Sequence, residues 1–142
     1  MIPVAIAALV VWLITVGVGS YMVRLWLGNG GLTRDSSHFP PARVFTHLGL
    51  AVAGLIVWIV YLATGLTWLA WIAFADLVLV ALLGGLLVNR WRVDGRAAMA
   101  DPGASRPDLA EQHISRPPVV LHGVLASATL ILVLLAALGV GT

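Results

Sequence analysis

The four histidines of this chain lie in two short, similar stretches. One stretch is SSHFPPARVFTH, residues 36–47, and the other is EQHISRPPVVLH, residues 111–122. In each stretch the second histidine follows the first by nine positions, with a Pro-Pro pair between them. Imidazole nitrogens ligate zinc, copper and haem iron, and they exchange protons near neutral pH. The spacing therefore points to metal binding, electron transfer or proton transfer.

The composition indicates the kind of secondary structure that positions these histidines. Hydrophobic residues make up 61% of the 142 residues and charged residues only 10%, and the mean hydropathy is +1.03. A soluble domain needs far more polar surface, and a bilayer-spanning helix needs roughly 20 apolar residues. We therefore expect one all-α integral membrane domain over residues 1–142, with a short surface helix near 107–112. The expected spans are about 3–27, 43–64, 67–89 and 117–140, and the expected cytoplasmic loops are 28–42 and 90–116.

The arginines predict the orientation of these spans. All eight basic residues are arginine, and they flank the first and third connections, whereas the TGLT turn between spans two and three carries no charge. Positive charge favours the cytoplasmic side. Both long connections are therefore expected inside and both termini outside, in the inner (plasma) membrane. The same distribution explains the basic pI of 9.9 without nucleic acid as a partner.

Several classes of function are excluded by missing residues. Cysteine is absent, which rules out disulfides, thiolate metal sites and a cysteine nucleophile. The chain also has no Gly-rich phosphate loop, no Ser-His-Asp arrangement and no HExxH motif. Hydrolase and nucleotide-binding functions therefore have no supporting residues.

The chain is organised as an internal repeat. Each half has a descending helix, a connection with one histidine and Pro-Pro, and an ascending helix that begins near the second histidine. Because the halves share one orientation, the implied symmetry axis runs along the membrane normal. The prediction is a four-helix up-down bundle built from two parallel two-helix repeats.

His47 and His122 are the strongest candidate ligands. Each is expected about one helical turn inside its span, roughly 5–8 Å below the inner interface, on diagonal helices of the bundle. Two imidazoles at one depth can ligate haem iron from both sides, although a histidine near a helix end is often only an interfacial side chain. Glycines that leave room for a porphyrin are Gly17, Gly19, Gly84 and Gly85, with Gly49 and Gly123 beside the ligands. Arginines that can pair with haem propionates are Arg24, Arg43, Arg90 and Arg116.

The remaining polar candidates are less specific. His38 and His113 precede the helices, where they are either solvated or part of a metal site. In the second case all four histidines form a zinc or copper cluster, with Asp108 and Glu111 as further ligands. Asp76 falls near mid-membrane, where a carboxylate marks a proton site or a polar clasp between helices. Its candidate partners are the hydroxyls of Tyr61, Thr15, Ser127 and Thr129.

With these residues in place, the chain resembles the small four-helix membrane b-type cytochromes over all four spans. The resemblance rests on His47, His122, the neighbouring glycines and the inner arginines. It implies bis-histidine haem b and electron transfer between quinol, superoxide or another reductant and an acceptor. The expected partners are a respiratory complex, another redox protein or a second copy of the chain. Many such cytochromes hold haem at both faces, but no histidine lies near the outer face here. The alternatives are a non-haem copper or zinc protein and a cofactor-free accessory subunit.

Overall fold

The computed structural model describes residues 3–141, and the regular secondary structure within that range is all helical. The helices are α1 (Pro3–Gly28), α2 (Pro41–Thr64), α3 (Thr67–Ala100) and α4 (Arg116–Ala137), with a short 3-10 helix at Ala110–His113. Each of the four α-helices is long and apolar enough to cross a membrane. The four predicted apolar helices are therefore confirmed, and they indicate a membrane protein.

Proline and glycine define several helix ends. α2 begins at Pro41 directly after Pro40, and α4 carries proline in its first turn. Proline suits this position because its missing N–H would have no partner inside the helix. α2 ends at Gly65, whose φ of 71° allows its N–H to donate to the carbonyl of Tyr61. The short connection to α3 follows at once.

α3 continues well beyond its predicted end at Asn89 and stops at Ala100. The extension contains no proline before Pro102, is rich in alanine and arginine, and is supported by an ion pair between Arg90 and Asp94 one turn apart. With 34 residues, α3 is about 51 Å long, against a hydrocarbon core of about 30 Å. Its last turns therefore extend past the apolar part of the other helices.

The helices pack in pairs around two separate apolar clusters. α1 packs mainly against α4, and α2 packs mainly against α3. The larger cluster centres on Trp12 and Trp58, which are fully buried, and alanines such as Ala8 and Ala73 allow close helix approach. A smaller cluster, which includes Trp26 and residues of the segment before α4, lies at the opposite end. His47 and His122 lie between these two clusters along the helices.

Candidate functional site

His47 of α2 and His122 of α4 face each other. Their ring centroids are 6.2 Å apart and the ring planes are inclined by 60°. Both side chains are half-buried. The structure thus brings together the two histidines that the sequence predicted at the same depth in the membrane.

Each ring is tethered to a backbone carbonyl of a neighbouring helix. Nδ1 of His47 lies 2.9 Å from the carbonyl oxygen of Val80, and Nδ1 of His122 lies 3.1 Å from that of Thr15. A carbonyl only accepts hydrogen bonds, so Nδ1 carries the proton and donates in both rings. In the neutral imidazole this leaves Nε2 with a free lone pair, and neither Nε2 has a hydrogen-bond partner within residues 3–141. Metal-ligating histidines commonly have this arrangement.

A glycine one helical turn after each carbonyl makes room for the ring. A Cβ at Gly84 would lie 3.0 Å from Cε1 of His47, and a Cβ at Gly19 would lie 3.0 Å from Cε1 of His122. Val80–Gly84 and Thr15–Gly19 are thus two equivalent sockets, each made of a carbonyl and a glycine on one helix face. Larger residues at these glycines would push the rings away from their tethers.

The two sockets are related by one offset along the chain, and each holds the histidine of the other half of the chain. The socket on α1 and the socket on α3 are related by the same offset, since 80 − 15 and 84 − 19 both equal 65. His47 of the first half sits in the socket of the second half, and His122 does the converse. The two halves therefore complete each other at this site.

A cavity of about 380 Å³ contains both histidines. Its volume lies at the lower end of the range for sites that bind small molecules and cofactors. The wall is mainly apolar, with Trp12, Trp26 and Leu77 from the two clusters, and both socket glycines belong to it. The cavity therefore offers an apolar environment in which the free Nε2 atoms are the main ligand groups.

The other predicted glycines have different positions. Gly85 and Gly123 line the cavity and have open space where a Cβ would be. Gly17 and Gly49 also have open space there but do not line the cavity. Gly17 lies about 200° around α1 from Gly19, which places it on another face of the helix.

None of the four predicted arginines lines the cavity within the described range. Arg24 is exposed, Arg43 is half-buried, and neither guanidinium group has a hydrogen-bond or ion-pair partner among residues 3–141. Arg90 donates from Nε to Asp94 at 3.1 Å. Arg116 lies at the start of α4, on an outer groove between α3 and α4. Arg24 and Arg43 thus keep unpaired guanidinium groups, and each is the sequence neighbour of a residue that lines the cavity, Val23 and Val44.

His38 and His113 do not join His47 and His122 in one cluster. Nδ1 of His38 lies 3.0 Å from Arg90 Nη2 and 3.1 Å from Asp94 Oδ2, so it either accepts from the former or donates to the latter. His113 is exposed, and its Nε2 lies 3.1 Å from Asp108 Oδ1. The two rings thus have separate partners within the part of the chain that the structure describes.

Glu111 is fully buried and links the connection before α4 to the connection between α1 and α2. Its Oε1 accepts from the backbone N–H of His38 at 2.7 Å, and its Oε2 accepts from the hydroxyl of Ser37 at 2.8 Å. The Ser37 oxygen in turn accepts from the indole N–H of Trp26 at 2.9 Å. Because Trp26 lines the cavity, this network holds one of the cavity walls in place. The sequence suggested Glu111 only as a metal ligand.

Replacing Glu111 with alanine is expected to destabilise the protein. The change leaves the buried N–H of His38 and the hydroxyl of Ser37 without their acceptor, at about 1–3 kcal/mol for each group. We expect a loss of about 2–5 kcal/mol, measured by thermal or denaturant unfolding in detergent micelles. Asp108→Ala is the matched control, since that carboxylate is 86% exposed and pairs only with His113. Equal stability of the two variants would contradict this role for Glu111.

Asp76 lies against the backbone of α2 and has no hydroxyl partner. Its Oδ2 is buried without a hydrogen bond within residues 3–141. None of the four candidate hydroxyls reaches it: Thr15 and Ser127, for instance, bond carbonyls of their own helices. The carboxylate instead occupies the space where a Cβ of Gly54 would lie. Gly54 therefore makes room for Asp76.

Gly54→Ala is expected to destabilise the protein by about 1–3 kcal/mol, because the new methyl group overlaps the Asp76 carboxylate and overpacked cores lose stability by this amount. Asp76→Ala removes the overlap, so the double variant is expected to recover most of the loss. Unfolding of the wild type, both single variants and the double variant measures the coupling. Additive effects of the two changes would contradict the proposed contact.

Comparison of the chain with family models, curated proteins and solved structures finds no match.

Proposed function

We propose that this protein is a membrane-embedded haem b protein. His47 and His122 would hold the haem iron near the cytoplasmic face, and the haem would supply a one-electron carrier for electron transfer. The partner would be a respiratory complex, another redox protein or a second copy of the chain.

The geometry of the His47–His122 pair is the main support for this proposal. A metal–imidazole bond is about 2.0–2.1 Å and the ring centre lies about 1.1 Å behind the nitrogen, so two imidazoles on opposite sides of one metal have centroids about 6.2–6.4 Å apart. The observed separation of His47 and His122 is 6.2 Å. Both rings also keep Nε2 free, because Nδ1 is engaged by a carbonyl. Separation and tautomer together fit a shared metal.

The residues around the pair fit haem better than a bare ion. A bare zinc or copper ion in the membrane would need two or more further nitrogen, oxygen or sulfur ligands, and the cavity wall is mainly apolar. A porphyrin supplies four nitrogens itself and needs an apolar space, and Arg24 and Arg43 are free to pair with its carboxylates. When bound, haem provides a one-electron carrier whose potential depends on its axial ligands and surroundings. Two histidine ligands leave no iron position for a substrate, which favours electron transfer over oxygen chemistry.

The proposed topology is a four-helix up-down bundle of two parallel repeats, with both termini outside and the plasma membrane as its location. The arginine-bearing ends of the helices support this orientation, because positive charge favours the cytoplasmic side. The crossed sockets on α1 and α3 support the repeat. The haem then lies toward the inner face.

A zinc or copper site is the second candidate, supported by one observation outside the histidine pair. Ligand atoms of His38, Asp94 and Glu111 lie within 4.8 Å of one another. Both Glu111 oxygens already accept hydrogen bonds from the protein, and Arg90 contacts Asp94 and His38. A cation would have to displace this guanidinium, so haem is the favoured proposal.

Haem and metal content of the purified protein separate the candidates. The haem proposal predicts about one haem per chain, measured by pyridine haemochrome analysis after expression with haem supplied, and no stoichiometric zinc or copper by elemental analysis. Stoichiometric zinc or copper without haem would support the second candidate. Neither cofactor would indicate an accessory subunit without one.

A further inference from the structure

A groove of about 1030 Å³ runs along the outer surface between α3 and α4. Its apolar part is formed by one face of α4 that includes Val120, Val124 and Ile131, all of them more than half exposed. Its other end is formed by three arginines, Arg92, Arg96 and Arg116. The groove therefore combines an apolar floor with a cationic end.

The three arginines have unpaired side chains. None of their guanidinium groups has an ion-pair or hydrogen-bond partner among residues 3–141. Arg92 and Arg96 lie one turn apart on α3, so their guanidinium groups share a face of the helix. Such a cluster at the end of an apolar groove complements a molecule with an anionic head and an apolar tail.

The length of the groove matches one leaflet of a bilayer. From Arg116 to Ile131 is 15 residues of α4, or about 22 Å at 1.5 Å per residue, and half a bilayer with its headgroups is about 20–22 Å. The equivalent positions of the first repeat carry no arginine. Leu27 and Gly31 correspond to Arg92 and Arg96 at the offset of 65 residues, and Pro41 corresponds to Arg116 at the offset of 75 residues that separates His47 from His122. The cationic end is thus specific to the α3–α4 side.

We propose that this groove binds one anionic phospholipid, with the phosphate against Arg92, Arg96 and Arg116 and an acyl chain along Val120, Val124 and Ile131. Clustered arginines at the cytoplasmic end of membrane helices bind such headgroups. The leaflet assigned to the lipid follows the proposed topology, but the binding itself does not depend on haem. The groove shares Trp91 and Gly123 with the cavity wall, so the bound lipid lies beside the haem site.

A fluorophore on a single cysteine tests the proposal, since the chain has no native cysteine. Ile131→Cys places the label in the groove, and Ile56→Cys is the matched control at the equivalent repeat position, with exposures of 56% and 57%. The labelled full-length protein is placed in phosphatidylcholine vesicles that contain brominated phosphatidylglycerol or brominated phosphatidylcholine. We expect brominated phosphatidylglycerol to quench the Ile131 label preferentially and the Ile56 label without preference.

Variants of the arginines complete the test. Arg92→Gln with Arg96→Gln is expected to lower the preference at the Ile131 label by roughly twenty- to thirty-fold, at about five-fold per arginine near an anionic headgroup. Arg34→Gln with Arg106→Gln changes the net charge equally and is expected to keep the preference. The proposal would be overturned by equal preference for the anionic lipid at both labels, or by equal loss of preference in both double variants. It would also be overturned if a second copy of the protein shielded the label at residue 131 from both lipids. Haem content, measured on the same samples, reports separately on the haem site.

Discussion

Alanine at either His47 or His122 is expected to remove haem from the purified protein. Each variant deletes one of two axial ligands, and no other described side chain with a free imidazole lines the cavity to replace it. Loss of a residue that only orients a metal ligand already costs about 10–100-fold in affinity, so loss of a ligand itself should cost more than about a hundredfold. Haem per chain after purification, measured by pyridine haemochrome analysis, gives the result.

His113→Ala is the control for this experiment. Its ring is exposed, contacts Asp108 and is not part of the cavity wall, so haem content is expected to equal that of the wild type. Full haem content in both His47→Ala and His122→Ala would rule out ligation by this pair. A similar loss in His113→Ala would indicate general damage to the protein rather than loss of a ligand.

Gly19→Leu is expected to abolish haem binding while the helices still form. Even a Cβ at Gly19 lies 3.0 Å from Cε1 of His122, and a leucine side chain adds three further carbons in the space that the ring occupies. The ring must leave its tether to the carbonyl of Thr15, and an error of about 1 Å in a ligand position is enough to impair a metal site. Circular dichroism reports the helices, and haem per chain reports the site.

Gly17→Leu provides the matched control, because it lies two residues away on the same helix and has open space around its Cβ position. It raises apolar bulk by the same amount and is expected to bind haem like the wild type. Equal haem content in Gly17→Leu and Gly19→Leu would contradict the socket. The corresponding change at Gly84 should displace His47 in the same way, since its Cβ position also lies 3.0 Å from the ring.

The local features of this fold could be predicted from the sequence because each depends on neighbouring residues. Runs of about 20 apolar residues predict helices that cross a bilayer, and prolines at 40–41 and 117–118 mark two of their starts. The equal depth of His47 and His122 follows from their distance to these starts. In the structure the two ring centroids lie 6.2 Å apart, with the ring planes inclined by 60°.

The features that the sequence did not reveal depend on which helix faces which. The tethers of the rings are backbone carbonyls of Thr15 and Val80, and a carbonyl leaves no signature in residue type. Gly17 and Gly19 look equivalent in the sequence, but only Gly19 touches a histidine ring. The burial of Glu111 likewise depends on how the connection before α4 folds against α1. The common offset of 65 between the two sockets was the one signal that could have indicated them.

The most direct test of the account is the dithionite-reduced minus oxidised absorption spectrum of the purified protein, expressed with haem supplied. Bis-histidine ligation by His47 and His122 predicts a sharp low-spin b-type spectrum that is unchanged by carbon monoxide, because both axial positions are occupied. A colourless protein would contradict the haem proposal. A high-spin spectrum that shifts on addition of carbon monoxide would contradict ligation by both histidines.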